Sequence, residues 1–242
     1  MPNDQQLVDH WLESPLGTAV LERESALMEQ VLSDVFGFQL VQVGQWGCAG
    51  RLTEAARTQH RSWLSPRANG PGAIRAEYHL LPIATSSVEA VVLPHTLEYA
   101  PHPHQMLREV ERVLVGEGYL IICGFNPRGP WGARHLMSRG RFPSCAARLM
   151  SERRTRDWLR LLGFEVVHAQ RYLFTPPWTQ SLPGRSGPWL EQRGPMVASP
   201  LAGAYLLKAR KQVHAMTAIR LAFPRRARVV VGAVKPTSRN AA

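Results

Sequence analysis

The sequence predicts an α/β fold, a mostly parallel sheet with helices on both faces. Three observations carry this. VEAVVL (88–93) and the stretch Tyr119 to Cys123 are continuous apolar runs, as expected of parallel strands buried on both faces. Between them Met106, Leu107, Val110, Val113 and Leu114 recur at helical spacing, with Arg108, Glu109, Glu111 and Arg112 on the opposite side. Strand, helix and strand in that order form a crossover unit of a parallel sheet. Pro103 suits the first turn of the helix, where its missing N–H would be unpaired anyway. Gly116 and Gly118 are expected to end it.

The other elements follow in chain order. Residues 17–36 read as a helix with Leu21, Met28, Leu32 and Val35 on one side, stopped by Gly37. QLVQV (39–43) is a short apolar strand, followed by the glycine-rich GQWGCAG (44–50). A helix over 52–58 and a short strand RSWLS (61–65) come next, then a loop (66–72) and one short strand within 74–83. Residues 128–150 read as an irregular basic insertion. Ser151 is an N-cap for a helix through Leu162, which Gly163 terminates. A strand spans 164–174, a Pro- and Gly-rich insertion 175–200, and a last strand 203–210. The expected organisation is one domain, 1–211, with a basic tail at 212–242.

Composition excludes several classes. A hydrophobic fraction of 45% supports one sizeable core, yet no apolar run is long enough to span a bilayer. The N-terminus lacks the basic-then-apolar layout of a secretory signal, so a cytoplasmic location is expected. Cys48, Cys123 and Cys145 show no CxxC pairing, which argues against a disulfide framework or a zinc site. The net charge of +11 invites a nucleic-acid partner, but no RNA-binding module is legible.

The wording of residues 77–127 goes further. LPI (81–83), VEAVVL (88–93), LEY (97–99), HP (102–103), LREVERVL (107–114) and GEG (116–118) resemble, in order, the second half of the class I S-adenosylmethionine-dependent methyltransferases of type 11. Weaker likeness extends from about residue 17 to 210. The resemblance implies a Rossmann-like, seven-stranded, mostly parallel sheet with a reversed last strand. It also implies S-adenosyl-L-methionine as cofactor.

In open α/β sheets, ligands bind beyond the carboxyl ends of the strands. The resembled family places an acidic residue two before a G-x-G-x-G turn at the end of the first strand. Here Gln42 stands at the acidic position, Gly44 keeps the first glycine and Trp46 replaces the second, with Gly47 and Gly50 nearby. The same residues also suit a plain strand-to-helix turn. The family usually ends its second strand with a carboxylate that binds the ribose; this chain offers Ser65. Losing a charged acceptor costs roughly 1.5–3 kcal/mol, about tenfold to a hundredfold in affinity. Glu77, four before the LP dipeptide, keeps the position that accepts the adenine amino group, with Tyr78 beside it.

Methyl transfer from a sulfonium depends on alignment and on the electrostatic setting. A base is needed only where the acceptor must lose a proton. The resemblance puts Leu93 to Glu98 beside the methyl group. His95 is then the general-base candidate, since imidazole titrates near neutrality; alternatively it packs against the adjacent loop. Glu98 is expected to anchor the turn. His95, His102 and His104 are not expected to converge on a metal, because Pro103 starts a helix between them. In the loop after residue 124, Asn126 could bond a polar acceptor, and Trp131 suits either a pocket wall or the core. The leading expectation is a methyltransferase acting on a small molecule. Its rivals are a methyltransferase-like binding protein without catalysis and a basic nucleic-acid binder.

Overall fold

A computed structural model describes residues 4–47, 50–66, 73–137, 148–178, 201–213 and 232. Seven strands build its sheet: β1 (Phe36–Val43), β2 (Arg57–Ser65), β3 (Ala73–Arg75), β4 (Val88–Pro94), β5 (Leu114–Phe125), β6 (Phe164–Tyr172) and β7 (Ala204–Lys211). Their order is β3-β2-β1-β4-β5-β7-β6. β1, β2, β3, β4 and β5 pair in parallel, and β7 runs antiparallel between β5 and β6. This is the seven-stranded sheet with a reversed last strand that the resemblance implied.

Period-two alternation divides the core between the two faces. Ala90, Val92, Ile121, Cys123 and Phe125 face one layer, and Val91, Leu93, Leu120 and Ile122 face the other. The first layer is formed by α1 (Asp4–Leu12) and α2 (Pro15–Leu32). The second contains α4 (Pro103–Val113) and α6 (Glu152–Leu161). Met106, Leu107, Val110 and Val113 of α4 are fully buried, each contributing about 1.5–3 kcal/mol. Val110→Asp would place an unpaired charge among them, the change best suited to break this layer.

Several elements differ from the sequence reading, each for a physical reason. The expected helix 17–36 is α2, which starts two residues earlier at Pro15 and ends at Leu32, so that Gly37 lies inside β1; α1 was not expected. Ser14 caps α2, its hydroxyl accepting from the Gly17 N–H at 3.1 Å, and Pro15 occupies the first turn. Gly17 lies against the Trp11 and Leu12 backbone, where a Cβ would collide, so the helices turn sharply on each other. The expected helix 52–58 is only a single 3-10 turn, Arg51–Thr53. The chain joins β2 at Arg57 because β1 offers a full ladder from Phe36↔Arg57 onward. α4 ends at Val113 without help from glycine, and β5 starts at once. Gly116 and Gly118 instead sit where the β4–β5 register jumps from Val88↔Leu114 to Ala90↔Tyr119. Pro130–Met137, read as irregular, forms α5. Ser151 caps α6 as expected, accepting from the Arg154 N–H.

Cys48, Cys145, most of the loop at 66–72, the segments 138–147 and 179–200, and nearly all of the tail lie outside the described residues. No helix among the described residues is long and apolar enough to cross a membrane. Ser14→Ala should lower stability by about 1 kcal/mol, as for other lost N-caps, measured by urea unfolding. An unchanged midpoint would mean that Pro15 and packing alone start α2.

Candidate active site

The carboxyl edge of the sheet gathers the chemistry. β1 ends in a turn at Gly44, whose φ of 97° and contact with Thr96 leave no room for a side chain. Thr96 heads the short helix α3 (Thr96–Tyr99) and donates its hydroxyl to the Val43 carbonyl at 2.5 Å, tying β4 to β1. Gly47 has a φ of 70° and lies against Leu21 of α2. The turn is therefore covered by α2.

Beneath that cover lies a sealed polar cluster. His95, at the end of β4, has no solvent exposure and a left-handed backbone, φ 54°. That conformation costs a non-glycine residue about 1–3 kcal/mol and persists only where its surroundings impose it. Its Nε2 lies 2.7 Å from Oε1 of Glu24, and its Nδ1 lies 3.4 Å from Oε1 of Glu98. Glu24, on α2, also accepts from the Tyr172 hydroxyl at 2.8 Å and the Trp46 indole N–H at 2.6 Å. Glu98 accepts the Phe125 backbone N–H at 2.5 Å. The His95 ring packs against both Trp46 and Phe125, each centroid 4.2 Å away and each ring tilted to it. Trp11 of α1 closes over both of those rings, at 5.9 and 6.4 Å.

Charge follows from this geometry. Burial alone would lower the His95 pKa, but the Glu24 and then the Glu98 carboxylates outweigh it and raise it to about 9. Burial raises the Glu98 carboxyl above its ordinary range despite His95 and the Phe125 N–H. Both directions are consistent with one assignment: His95 is the cation, and Glu98 is a carboxyl that more readily holds a proton. Burial also pushes Cys123 and Tyr172 well up, so both remain protonated.

The structure brings Gln42, Gly44, Trp46, Gly47, Ser65, Leu93 and His95 to the ends of β1, β2 and β4. Glu77 and Tyr78 follow β3, Glu77 with its side chain exposed. Gln42 and Ser65 are buried, and Leu93 packs in the α4 layer. Trp46 is core, 1% exposed, where the resembled family has a bare glycine. Asn126 spends its amide on the local loop, donating to the Ala202 carbonyl and accepting from the Arg128 N–H. Trp131 is core, stacked on Phe125 and bonded to the Thr175 carbonyl. His104 stacks on Trp158 at 3.6 Å, away from His95. Glu24 and Tyr172 were missed. The signal for Glu24 was present: it is the lone acid in the apolar stripe Val20, Leu21, Leu27, Met28 and Val31.

This pair makes stability depend on pH. His95 has a folded pKa of about 9, against 6.5 when free. Its contribution is therefore complete below about pH 6.5 and is lost as pH rises through 9. It amounts to on the order of 3 kcal/mol, with a slope of up to about 1.4 kcal/mol per pH unit in that window. Urea unfolding across pH 6–10 should show this fall in the wild type and not in His95→Gln. Equal slopes in both proteins would remove His95 as the titrating group.

Comparison with known proteins agrees with the geometry. Residues 49–122 match the methyltransferase domain family. The uncharacterised protein YafS of Escherichia coli K12 is 34% identical over 169 residues, spanning 69% of this chain and 70% of that one. An S-adenosylmethionine-dependent methyltransferase structure from Thermotoga maritima superposes with a TM-score of 0.60 at 17% identity, covering 85% of this chain and all of that one. Geranyl diphosphate methyltransferase in complex with S-adenosylmethionine gives a TM-score of 0.58 at 14% identity, covering 83% and 92%. The chain thus belongs to the methyltransferase domain family, whose class I fold takes S-adenosyl-L-methionine as its cofactor.

Proposed function

We propose that this protein is an S-adenosylmethionine-dependent methyltransferase acting on a small molecule. The observation that carries the reading is the sealed charge cluster at the end of β4, beside which the resemblance puts the methyl group. Two of its surroundings fit the donor. Gln42 Oε1 and Glu98 Oε2 are buried without a hydrogen-bond partner, and buried acceptors in that state suit a ligand that brings cationic or N–H groups. Gln42 would hold the ammonium end, Gly44 and Gly47 would admit the backbone close to it, Ser65 would bond the ribose, and Glu77 with Tyr78 would take the adenine edge. The cofactor supplies the methyl group as a sulfonium substituent. Trp46 must swing aside to admit it.

His95 works through its partner. While Glu24 is in contact, the imidazole keeps its proton to about pH 9 and orients the site. Withdrawal of Glu24 on α2 returns the ring toward its ordinary pKa near 6.5 and frees it to accept the acceptor's proton. The depth of His95, with no exposure at all, favours a small acceptor over a polymer. One feature favours a second reading, a binding protein without turnover: the Trp46 side chain fills the place above the glycine turn.

Titration calorimetry with S-adenosylhomocysteine decides the first step. The wild type should bind, and Glu77→Ala should bind about tenfold more weakly, the equivalent of one lost hydrogen bond. No heat at millimolar ligand would reject the enzyme reading. Once a screen finds an acceptor, His95→Ala should lower kcat while leaving S-adenosylhomocysteine affinity unchanged. Binding without turnover across that screen would favour the second reading.

A further inference from the structure

Beside the end of β5 a cavity of about 130 Å3 opens on the same carboxyl edge, and we infer that it binds the anionic group, phosphate or carboxylate, of the methyl acceptor. This rests on the methyltransferase reading. Arg128, Arg153 and Arg171 line the cavity, against one carboxylate, Glu152. Glu152 is already committed. It pairs with Arg156 at 2.7 Å and Arg171 at 2.6 Å. Though burial opposes it, these two guanidinium groups hold its carboxyl below the usual range. Arg128 and Arg153 have no ion pair among the described residues, so the cavity keeps two uncompensated positive charges, three arginines less Arg171. Guanidinium groups bind phosphate and carboxylate through paired N–H donors, which suits this surplus.

The floor of the cavity is apolar and fixed. Ala204 and Tyr205 are buried, and the Tyr205 hydroxyl is bonded to Thr155 at 2.9 Å. Asn126 pins the loop that carries Arg128, its own N–H donating to the Gly203 carbonyl at 2.8 Å. A ligand can thus lay a short apolar stem on the floor while its anionic end meets the arginines. A volume of about 130 Å3 suits one such group. Position supplies the link to chemistry. Phe125, the neighbour of Asn126, gives its N–H to Glu98, so the cavity lies one residue along β5 from the sealed cluster. A larger cavity of about 470 Å3 between α2 and β7 lacks this surplus, because its Lys208 is paired with Asp34 and its Arg210 with Glu117 and Glu165.

The test uses the full chain at low ionic strength, with inorganic phosphate, butyl phosphate and butyrate as separate probes. Amide chemical-shift mapping of the wild type should show saturable changes at Arg128, Ser151, Arg153 and Ala204. Butyl phosphate should bind more tightly than inorganic phosphate, because the floor takes its stem. The R128A/R153A double variant should weaken binding at least tenfold, while Arg160→Ala, on the exposed side of α6, should not. Butyrate tells a carboxylate acceptor from a phosphate one. Non-saturating shifts spread over all basic residues would overturn the inference, as would wild-type affinity in the double variant. So would saturable binding there of a short RNA but of none of the three probes. S-adenosylhomocysteine titrated into the same proteins separates the two readings. Its failure in wild type and variant alike counts against the methyltransferase reading and leaves the anion result standing on its own.

Discussion

Glu24 and His95 form an ion pair that water does not reach, and much of the molecule is arranged to make that tolerable. Removing two charges from water costs several kcal/mol per ion, and attraction compensates only when the remaining donors and acceptors are satisfied. Here they are. Both Glu24 oxygens accept bonds, from His95, Tyr172 and Trp46, and both ring nitrogens of His95 face carboxylates. Trp46 and Phe125 present their ring faces to the cation, where its charge is favoured by their quadrupoles. The partners lie 71 residues apart, one on α2 and one after β4. The pair therefore decides where α2 lies across the sheet edge. Breaking either half strands a buried charge, which typically costs 3–5 kcal/mol.

The same pair joins closure of the site to its chemistry. Glu24 holds three groups at once, the His95 ring, the Trp46 indole N–H and the Tyr172 hydroxyl, and Trp11 of α1 stacks on Trp46. On the proposed reading, a ligand that displaces Trp46 removes a hydrogen-bond donor from Glu24 and loosens its hold on His95. Access and proton affinity then change together. On that reading, a histidine that is a cation while Glu24 is in contact becomes a base only once that contact is released.

How much of this was legible follows from where the information lies. The crossover from Val88 to Cys123 was legible because buried parallel strands and an amphipathic helix write their periods into contiguous residues. The α6 cap was legible because one serine suffices. The helix expected at 52–58 failed because a short, weakly helical stretch loses to strand pairing along β1, a long-range effect that no local window contains. The start of α2 was placed two residues late although Ser14-Pro15 is a usable start signal, and α1 was not read at all. At the site, the strand ends were legible by position, and Gln42, Gly44, Ser65 and His95 all lie there. What Trp46 does was not, because its packing partner and its hydrogen-bond partner come from α1 and α2, outside the matched motif. Glu24 could have been found by asking why an acid sits in an apolar stripe.

These residues also explain each other. The resembled family places carboxylates at the ends of its first two strands; this chain has Gln42 and Ser65 there, neutral and buried. A cationic donor still needs negative charge nearby, and two carboxyl groups stand at the edge in other positions, Glu24 on α2 and Glu98 on α3. With His95 in contact, the Glu24 charge is masked on the proposed reading. On that reading the donor's positive charge competes with the imidazolium for Glu24, and donor binding and loss of the His95 proton become linked. Each would favour the other in proportion to their shared use of that carboxylate. On the proposed reading, Gln42 and Ser65 leave the strand ends without negative charge, and Glu24 supplies it from a helix instead.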